Sequence, residues 1–311
     1  MTVSIGIVGA GVWAERVHLP SIAAHPDFRI AGVWARRAEQ AEKLAKGFDV
    51  PAVAELSDLI GRSDVLDFAV PPAVQPELAL VAARRDKHLI LEKPVGTDLD
   101  LLGRLQNEVR RRRLAVSVFV NRFFDPARKA TMAEPASTPW TNAHTTWRSS
   151  SYLPGNPFAT PWRDSGAVLF DIGPHAISQL EAILGRTVHG QITTKAPTQV
   201  DLELHHQGGA TSTVHIDVGA DVPALEEQLT VHGTEGTVAV PLLALDPKAA
   251  FARLLDHLAK DMQQDAVEVR TSPPATSLAE GIRTVRLLLQ IACSEGATHE
   301  YPDCPICAAR R

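Results

Sequence analysis

Apolar and polar residues alternate along the first 120 positions in a pattern that predicts short strands separated by helices. The apolar runs rich in β-branched residues are strand-like, and the segments between them repeat apolar residues with the period of a helix. The predicted strands are Val3–Val8, Arg29–Ala35, Asp64–Val70, His88–Leu91 and Ala115–Phe119, and the predicted helices are Trp13–Ala24, Ala38–Lys46, Gln75–Arg85 and Leu99–Arg112. Such alternation indicates a doubly wound α/β domain, a parallel sheet with crossover helices on both faces.

The pattern changes after about Phe124. A segment rich in Pro, Ser and Thr, Ala133–Pro161, is predicted to be loop with one strand; a helix, a series of strands and two further helices follow it. The turn Gln207-Gly208-Gly209 predicts a hairpin between two of these strands. The predicted strands are Thr141–Ser149, Val188–Lys195, Gln199–His206, Ala210–Val218, Glu227–His232 and Thr237–Val240, and the helices are Val168–Leu184, Lys248–Gln264 and Ser277–Ser294. We therefore expect a second domain of α+β type with an antiparallel sheet, and domain limits of 1–120 and 121–311.

Composition narrows the class of protein. The chain has 311 residues, enough for two domains, and a net charge of −5, without the basic excess that nucleic-acid binding needs. No run of about 18 apolar residues predicts a membrane-spanning helix. The 3 cysteines fit a reducing compartment. Because the first strand begins without a charged leader, we expect a cytoplasmic protein.

A glycine-rich turn follows the first predicted strand. The residues Gly9-Ala10-Gly11-Val12-Trp13-Ala14 form the pattern G-x-G-x-x-A at the start of a strand–helix–strand unit. The first glycine allows a tight turn, the second lets a pyrophosphate approach the backbone, and a small third residue permits close helix–strand packing. Glycine turns also arise from packing alone, but this context favours a dinucleotide bound by residues 9–13.

The end of the second predicted strand bears on which dinucleotide is bound. An acidic residue there would accept hydrogen bonds from the ribose hydroxyls of NAD, but spacing places Ala35 at that position, followed by Arg36 and Arg37. A guanidinium group suits the 2′-phosphate of NADP. We therefore predict NADP over NAD as cofactor. The alternative is that both arginines only begin a solvated helix.

Two further motifs carry candidate chemistry. Glu92-Lys93-Pro94 places an acid and a lysine at the carboxyl end of a buried strand, where open α/β sheets bind ligands. On the predicted helix after residue 167, Asp171 and His175 are four residues apart and share one face. A histidine there is suited to proton transfer near neutral pH. Taken singly, the lysine is also compatible with a surface ion pair and the histidine with a structural role.

Together these motifs resemble the Gfo/Idh/MocA family, which includes glucose–fructose oxidoreductase and inositol dehydrogenase. The G-x-G-x-x-A turn, Val70-Pro71-Pro72, Glu92-Lys93-Pro94 and Gly-Ala-x-x-x-Asp-x-Gly-x-His ending at His175 occur in the family's order and spacing. The resemblance implies a Rossmann domain that binds a pyridine nucleotide, followed by an α+β domain with an open-faced, mostly antiparallel sheet. It also implies a homodimer or homotetramer formed through that sheet.

The resemblance also implies roles for individual residues. Lys93 corresponds to the lysine near the substrate hydroxyl and nicotinamide, His175 to the acid/base, and Asp171 to the acid that binds substrate or tunes the histidine. The other implied cofactor contacts are Pro71, Pro72 and Glu92, and the implied substrate contacts are Asn121, Arg122, Trp162 and Arg163. Gln75 departs from the pattern, because the family frequently has a histidine there.

The predicted function is hydride transfer between NAD(P) and the hydroxyl or carbonyl carbon of a sugar, polyol, inositol or sugar derivative. Two alternatives stay open: reduction of an imine or a non-sugar carbonyl on the same fold, and nucleotide sensing without catalysis. No metal site is predicted. The pair Cys304 and Cys307 near the end of the chain is interpreted as part of a loosely packed tail rather than a metal or redox site.

Overall fold

The computed structural model describes residues 2–126, 132, 139–163, 167–234, 236–242, 246–263 and 276–293. The pair Cys304 and Cys307 lies outside these residues. The chain forms two compact units: unit 1 comprises Met1–Asp125 and Leu245–Ile282, and unit 2 comprises Pro126–Ala244 and Arg283–Arg311.

Unit 1 contains a five-stranded parallel sheet in the order β2-β1-β3-β4-β5. The strands are β1 (Val3–Val8), β2 (Phe28–Trp34), β3 (Val65–Phe68), β4 (His88–Glu92) and β5 (Val116–Phe119). The helices are α1 (Leu19–Ala24), α2 (Ala38–Gly47), α3 (Leu56–Gly61), α4 (Gln75–Ala83), α5 (Leu99–Arg112) and α6 (Asn121–Phe124). The predicted α/β Rossmann architecture is confirmed.

The strand register brings the carboxyl ends of the central strands to one edge of the sheet. Val8 of β1 pairs with Phe68 of β3, which in turn pairs with Leu91 of β4. The side chains of these three residues are completely buried. Because parallel strands point the same way, Gly9 after Val8 and Glu92 after Leu91 lie at this same edge of the sheet.

The helix after the glycine-rich turn is irregular. The sequence predicts one regular helix over Trp13–Ala24, whereas the structure has a π-helical turn, Ala14–His18, that leads into α1. Pro20 lies in the first turn of α1, and in a regular α-helix its ring would clash with the carbonyl of Arg16. The wider π turn accommodates this proline.

Helix α8 (Pro247–Gln263) belongs to unit 1, although the predicted limits placed it in a domain of residues 121–311. Its buried face packs into the core beside β1 and β5. The buried apolar residues of α8 are Ala250, Phe251, Leu254, Leu255 and Leu258. The Phe251 ring lies 4.9 Å from that of Phe119 and 4.4 Å from the imidazole of His18, between ring centroids. The chain therefore returns to complete the first core after it has built most of the second unit.

Unit 2 contains a six-stranded sheet in the order β11-β10-β6-β9-β8-β7. The strands are β6 (Trp140–Arg148), β7 (Thr187–Ala196), β8 (Gln199–His206), β9 (Thr211–Asp217), β10 (Glu226–Gly233) and β11 (Gly236–Ala239). All pairs are antiparallel except β6 with β9. The predicted hairpin joins β8 to β9, with Gly208 and Gly209 at φ +96° and +91°.

Burial alternates along the strands of unit 2, so one face of the sheet is apolar and the other polar. Helix α7 (Val168–Leu184) covers the apolar face, and the last helix, α9 (Leu278–Cys293), begins in unit 1 and continues into unit 2. The α+β architecture with an open-faced, mostly antiparallel sheet is confirmed. None of the described helices combines the length and apolar character needed to cross a membrane.

Candidate active site

The glycine-rich turn presents bare backbone at the edge of unit 1. Gly9 has φ +118°, and a Cβ on it would lie 2.3 Å from the carbonyl oxygen of Ala69, so a side chain is excluded. A Cβ on Gly11 would meet nothing within 4 Å, and Gly11 is exposed. An open, side-chain-free backbone before a helix is the cradle that a pyrophosphate requires, so these residues fit a dinucleotide. Ala10, Val12 and Trp13 are each partly exposed along the same turn.

The end of β2 lies next to this turn, because Gly9 N donates a hydrogen bond of 2.8 Å to the carbonyl of Trp34. Ala35 is half-buried at the position where an acid would select NAD, and Arg36 and Arg37 are both exposed. The structure thus leaves two guanidinium groups accessible beside the turn.

Glu92 links the glycine-rich turn to the Lys93 segment. The indole Nε1 of Trp13 donates a 2.7 Å hydrogen bond to Oε1 of Glu92, and the backbone N–H of Lys93 donates to Oε2 at 3.2 Å. Lys93 itself is half-buried, and its peptide bond to Pro94 is cis. The glycine-rich turn and the Glu92-Lys93-Pro94 motif, which are distant in the sequence, are therefore neighbours in unit 1.

A buried charge cluster lies behind Glu92, and its members His18 and Asp67 were not predicted as functional residues. The Nδ1 atom of His18 is 2.8 Å from Oδ2 of Asp67, and its Nε2 atom is 3.1 Å from Oε1 of Glu92. Neither His18 nor Asp67 is exposed to solvent. No local pattern in the sequence signals this cluster, because its three members come from three different elements.

The cluster holds a proton tightly. Burial alone would lower the pKa of His18, but the charge of Asp67 and the hydrogen bonds to both carboxylates raise it to about 9. Burial raises the pKa of Asp67 as well, against the opposing charge of His18. Both directions mean that the cluster keeps a proton, which we place on His18 because each of its ring nitrogens faces a carboxylate oxygen.

Gln75 fixes the backbone of the same segment. Its Nε2 donates to the carbonyls of Glu92 at 2.8 Å and Pro94 at 3.4 Å, and its Oε1 accepts from the Glu92 N–H at 2.9 Å. Gln75 is fully buried, so the residue that departs from the family's pattern holds the backbone of Glu92 and Pro94 by hydrogen bonds. Of the predicted ribose contacts before it, Pro71 is exposed and Pro72 is buried.

Asn121 and Arg122 begin α6, at the end of the first stretch of unit 1. They are 8% and 6% exposed, and Nη1 of Arg122 donates a 3.0 Å hydrogen bond to Oδ1 of Asn121. Their predicted contact with a substrate stays a prediction.

In unit 2, Asp171 lies in the first turn of α7 and is paired with Arg163. The Arg163 Nε and Nη2 atoms donate to the two carboxylate oxygens at 2.8 and 3.3 Å, and the hydroxyl of Tyr152 is 3.5 Å from Oδ2. The Arg163 guanidinium lies 4.7 Å from the centroid of the Trp162 ring. The acid is therefore held by a two-point ion pair with one of the predicted substrate contacts.

His175 is one helical turn further along α7 and is 6% exposed. Its ring stacks on the indole of Trp147 in β6, with centroids 5.9 Å apart and an angle of 12° between the planes. Gly173, two residues before His175, packs closely against α9, because a Cβ on it would lie 3.0 Å from the side chain of Leu288. These contacts fix the imidazole relative to the sheet of unit 2.

The described candidate residues thus fall into two groups, each within its own unit: the glycine-rich turn with Glu92 and Lys93 in unit 1, and Arg163, Asp171 and His175 in unit 2. Among the residues that the structure describes, no group of three or more His, Cys, Asp or Glu side chains is arranged to hold a metal ion.

The fold and the glycine-rich turn of unit 1 are those of a nucleotide-binding oxidoreductase. Residues 3–120 match the model of an oxidoreductase family with an NAD-binding Rossmann fold, and residues 140–239 match the C-terminal domain model of the same family. The chain belongs to the Gfo/Idh/MocA oxidoreductase family.

Individual relatives are distant. The uncharacterized protein YMR315W of Saccharomyces cerevisiae is 25% identical over 265 residues, which are 77% of this chain and 74% of that protein. Glucose-6-phosphate 3-dehydrogenase of Bacillus subtilis is 29% identical over 117 residues, 38% of this chain and 33% of that protein. Among solved structures, a myo-inositol dehydrogenase from Corynebacterium glutamicum superimposes with a TM-score of 0.75 at 18% identity, covering 96% of this chain and 97% of that one.

Proposed function

We propose that this oxidoreductase transfers a hydride between a nicotinamide cofactor and a CH–OH carbon of a sugar, polyol or sugar derivative. The observation that carries the proposal is the hydrogen bond from Trp13 to Glu92, because it joins the nucleotide-binding turn to the strand end that bears Lys93. Two of the relatives named above act, by their names, on glucose 6-phosphate and myo-inositol, which supports the substrate class.

The chain's own residues supply proton handling and charge stabilisation. The nicotinamide, when bound, accepts or returns the hydride. In the oxidation direction His175 takes the hydroxyl proton, and the Lys93 ammonium stabilises the negative charge that develops on that oxygen. In reduction His175 returns the proton. Asp171, held by Arg163, binds a substrate hydroxyl or tunes His175.

NADP is the cofactor that we propose within the NAD(P) class. The support is the half-buried Ala35 at the position of the NAD-selective acid, together with the exposed Arg36 and Arg37 beside the turn. The 2′-phosphate of NADP could bind to these two accessible guanidinium groups. A cytoplasmic location stays a prediction.

The first experiment is a titration of the purified protein with NADPH and with NADH, followed by quenching of the 5 tryptophans. A substrate panel containing myo-inositol, glucose 6-phosphate and a cyclic imine follows with the tighter nucleotide. We expect turnover of polyols or sugars, and Lys93→Ala is expected to abolish it with little change in nucleotide affinity.

Other outcomes distinguish the alternatives. Turnover of the imine alone would indicate an imine reductase, and tight nucleotide binding without any turnover would favour a sensor. Near-normal turnover by Lys93→Ala would contradict the role given to this lysine. The matched control is Lys87→Ala, because Lys87 precedes the opposite end of β4.

A further inference from the structure

The Glu92 carboxylate is held by three donors from three parts of unit 1. They are the Trp13 indole at 2.7 Å, the His18 imidazole at 3.1 Å and the backbone N–H of Lys93 at 3.2 Å. The Glu92 side chain is only 13% exposed to solvent, so water contributes little to fixing its position. The orientation of this carboxylate therefore depends on its protein donors.

His18 is the donor that is itself fixed on its other side. Its second ring nitrogen faces Asp67, which is completely buried on β3, and its ring packs 4.4 Å from that of Phe251. A carboxylate on both sides makes both ring nitrogens donors, so the imidazole cannot turn without breaking an ion pair. Asp67, in the interior of the sheet, thus fixes the His18 ring, and the His18 ring in turn fixes the Glu92 carboxylate.

A buried ion cluster is a poor device for stability alone, because desolvation of the charges offsets much of their attraction. Here the cluster ends at the residue before Lys93, whose N–H is bound by the same carboxylate. Rotation of Glu92 would release that N–H and, with it, the start of the segment that carries the lysine. Small displacements of a catalytic group are costly to rate.

We propose that His18 is a positioning residue for Lys93, acting through the Glu92 carboxylate, with Asp67 holding its ring. The proposal rests on the proposed catalytic role of Lys93. It assigns a function to a histidine that no motif of the sequence singles out.

The test compares His18→Gln with the matched control His88→Gln. His88 lies at the opposite end of β4, where its Nδ1 accepts a 2.9 Å hydrogen bond from the N–H of Ala115, which a glutamine oxygen can also accept. The first readout needs neither nucleotide nor substrate: competitive labelling of the free protein with acetic anhydride, followed by mass spectrometry, gives the reactivity of Lys93 relative to Lys87.

We expect His18→Gln to change the labelling rate of Lys93 by a factor of about three or more, because the amine is no longer held in its natural position, with the rate of Lys87 unchanged. With myo-inositol or glucose 6-phosphate, kcat should fall about 10- to 100-fold while the Kd of NADPH and NADH stays within about twofold. His88→Gln should leave all three quantities near those of the natural protein.

The proposal is overturned if a folded His18→Gln protein labels Lys93 and turns over substrate within about twofold of the natural rate. If His18→Gln does not fold, the isosteric Asp67→Asn variant is held to the same expectations. If the natural protein binds no nucleotide and turns over neither substrate, the proposed function fails, while the labelling ratio still decides whether His18 positions Lys93.

Discussion

At the residue scale, the proton on His18 links the stability of unit 1 to pH. The folded-state pKa of about 9 lies above the ordinary value of 6.5, so the contribution to stability is fully present below pH 6.5 and is lost as pH rises through 9. At high pH the fold keeps a neutral imidazole between the two carboxylates, which is less stable than the protonated one.

Urea unfolding at pH 6.5, 8 and 9.5 measures this dependence in the natural protein and in His18→Gln. The natural protein should lose stability across this range, and the variant should lose clearly less. A natural protein whose unfolding free energy is the same at all three pH values would show that His18 is not protonated in the fold.

Arg36 and Arg37 carry the prediction of cofactor preference. Replacing both by alanine should raise the Kd of NADPH roughly tenfold or more, because charge-assisted hydrogen bonds to a phosphate are lost, and should change that of NADH little. Tryptophan quenching gives both affinities. Arg62→Ala, on the exposed end of α3, is the matched control. An equal effect on the two nucleotides would mean that the arginines do not read the 2′-phosphate.

At the scale of elements, helix α8 shows how a late segment completes an early core. Phe251→Ala should lower the free energy of unfolding by about 3–5 kcal/mol, because it empties a fully buried site against Phe119 and His18. Hydrogen exchange should rise in peptides from β1 and β5 and stay unchanged in β8. Arg253→Ala, on the exposed face of α8, is the control, and faster exchange confined to unit 2 would contradict the packing of α8 beside β1 and β5.

Elements bounded by local signals could be predicted from the sequence to the residue. Helix α5 begins after the capping carboxylate of Asp98 and ends at Arg112, before Arg113 with φ 56°, and α7 ends at Leu184, before Gly185. Strand pairing and the packing partner of a helix could not be predicted in this way. The parallel pairing of β6 with β9 joins strands that are distant along the chain, and α8 looked like any amphipathic helix of the second half.

The same distinction holds for the candidate site. The glycine-rich turn, Lys93 and the helix of Asp171 and His175 each belong to a short motif whose residues are close together in the sequence. Motif and spacing are therefore sufficient to select them. The partners of Glu92 lie 74 and 79 residues away in the sequence, at His18 and Trp13. Only the register of the parallel sheet brings them together, and that register cannot be predicted from a single sequence.

At the scale of the whole molecule, the open face of the unit 2 sheet leads to a prediction about assembly. Its central strands present imidazoles beside polar and acidic side chains: His144 pairs across the strands with Thr213, and Nδ1 of His215 lies 2.5 Å from Oδ1 of Asp201. A surface that carries imidazoles beside carboxylates can face a second copy of itself across a two-fold axis, with each histidine near an acid of the partner. We therefore propose self-association through this face, as the family resemblance implies.

Light scattering coupled to size-exclusion chromatography decides whether the protein is larger than one chain at micromolar concentration. Thr213→Arg should shift the mass to that of a monomer, because the exposed centre of the face then carries a bulky charge that would meet its own copy across the axis. Asn107→Arg, at an exposed position of α5 in unit 1, adds the same side chain away from the sheet and should keep the natural mass. A natural protein that is already monomeric, or a Thr213→Arg protein of unchanged mass, would place assembly elsewhere or exclude it, and the polar face would then be an ordinary solvated surface.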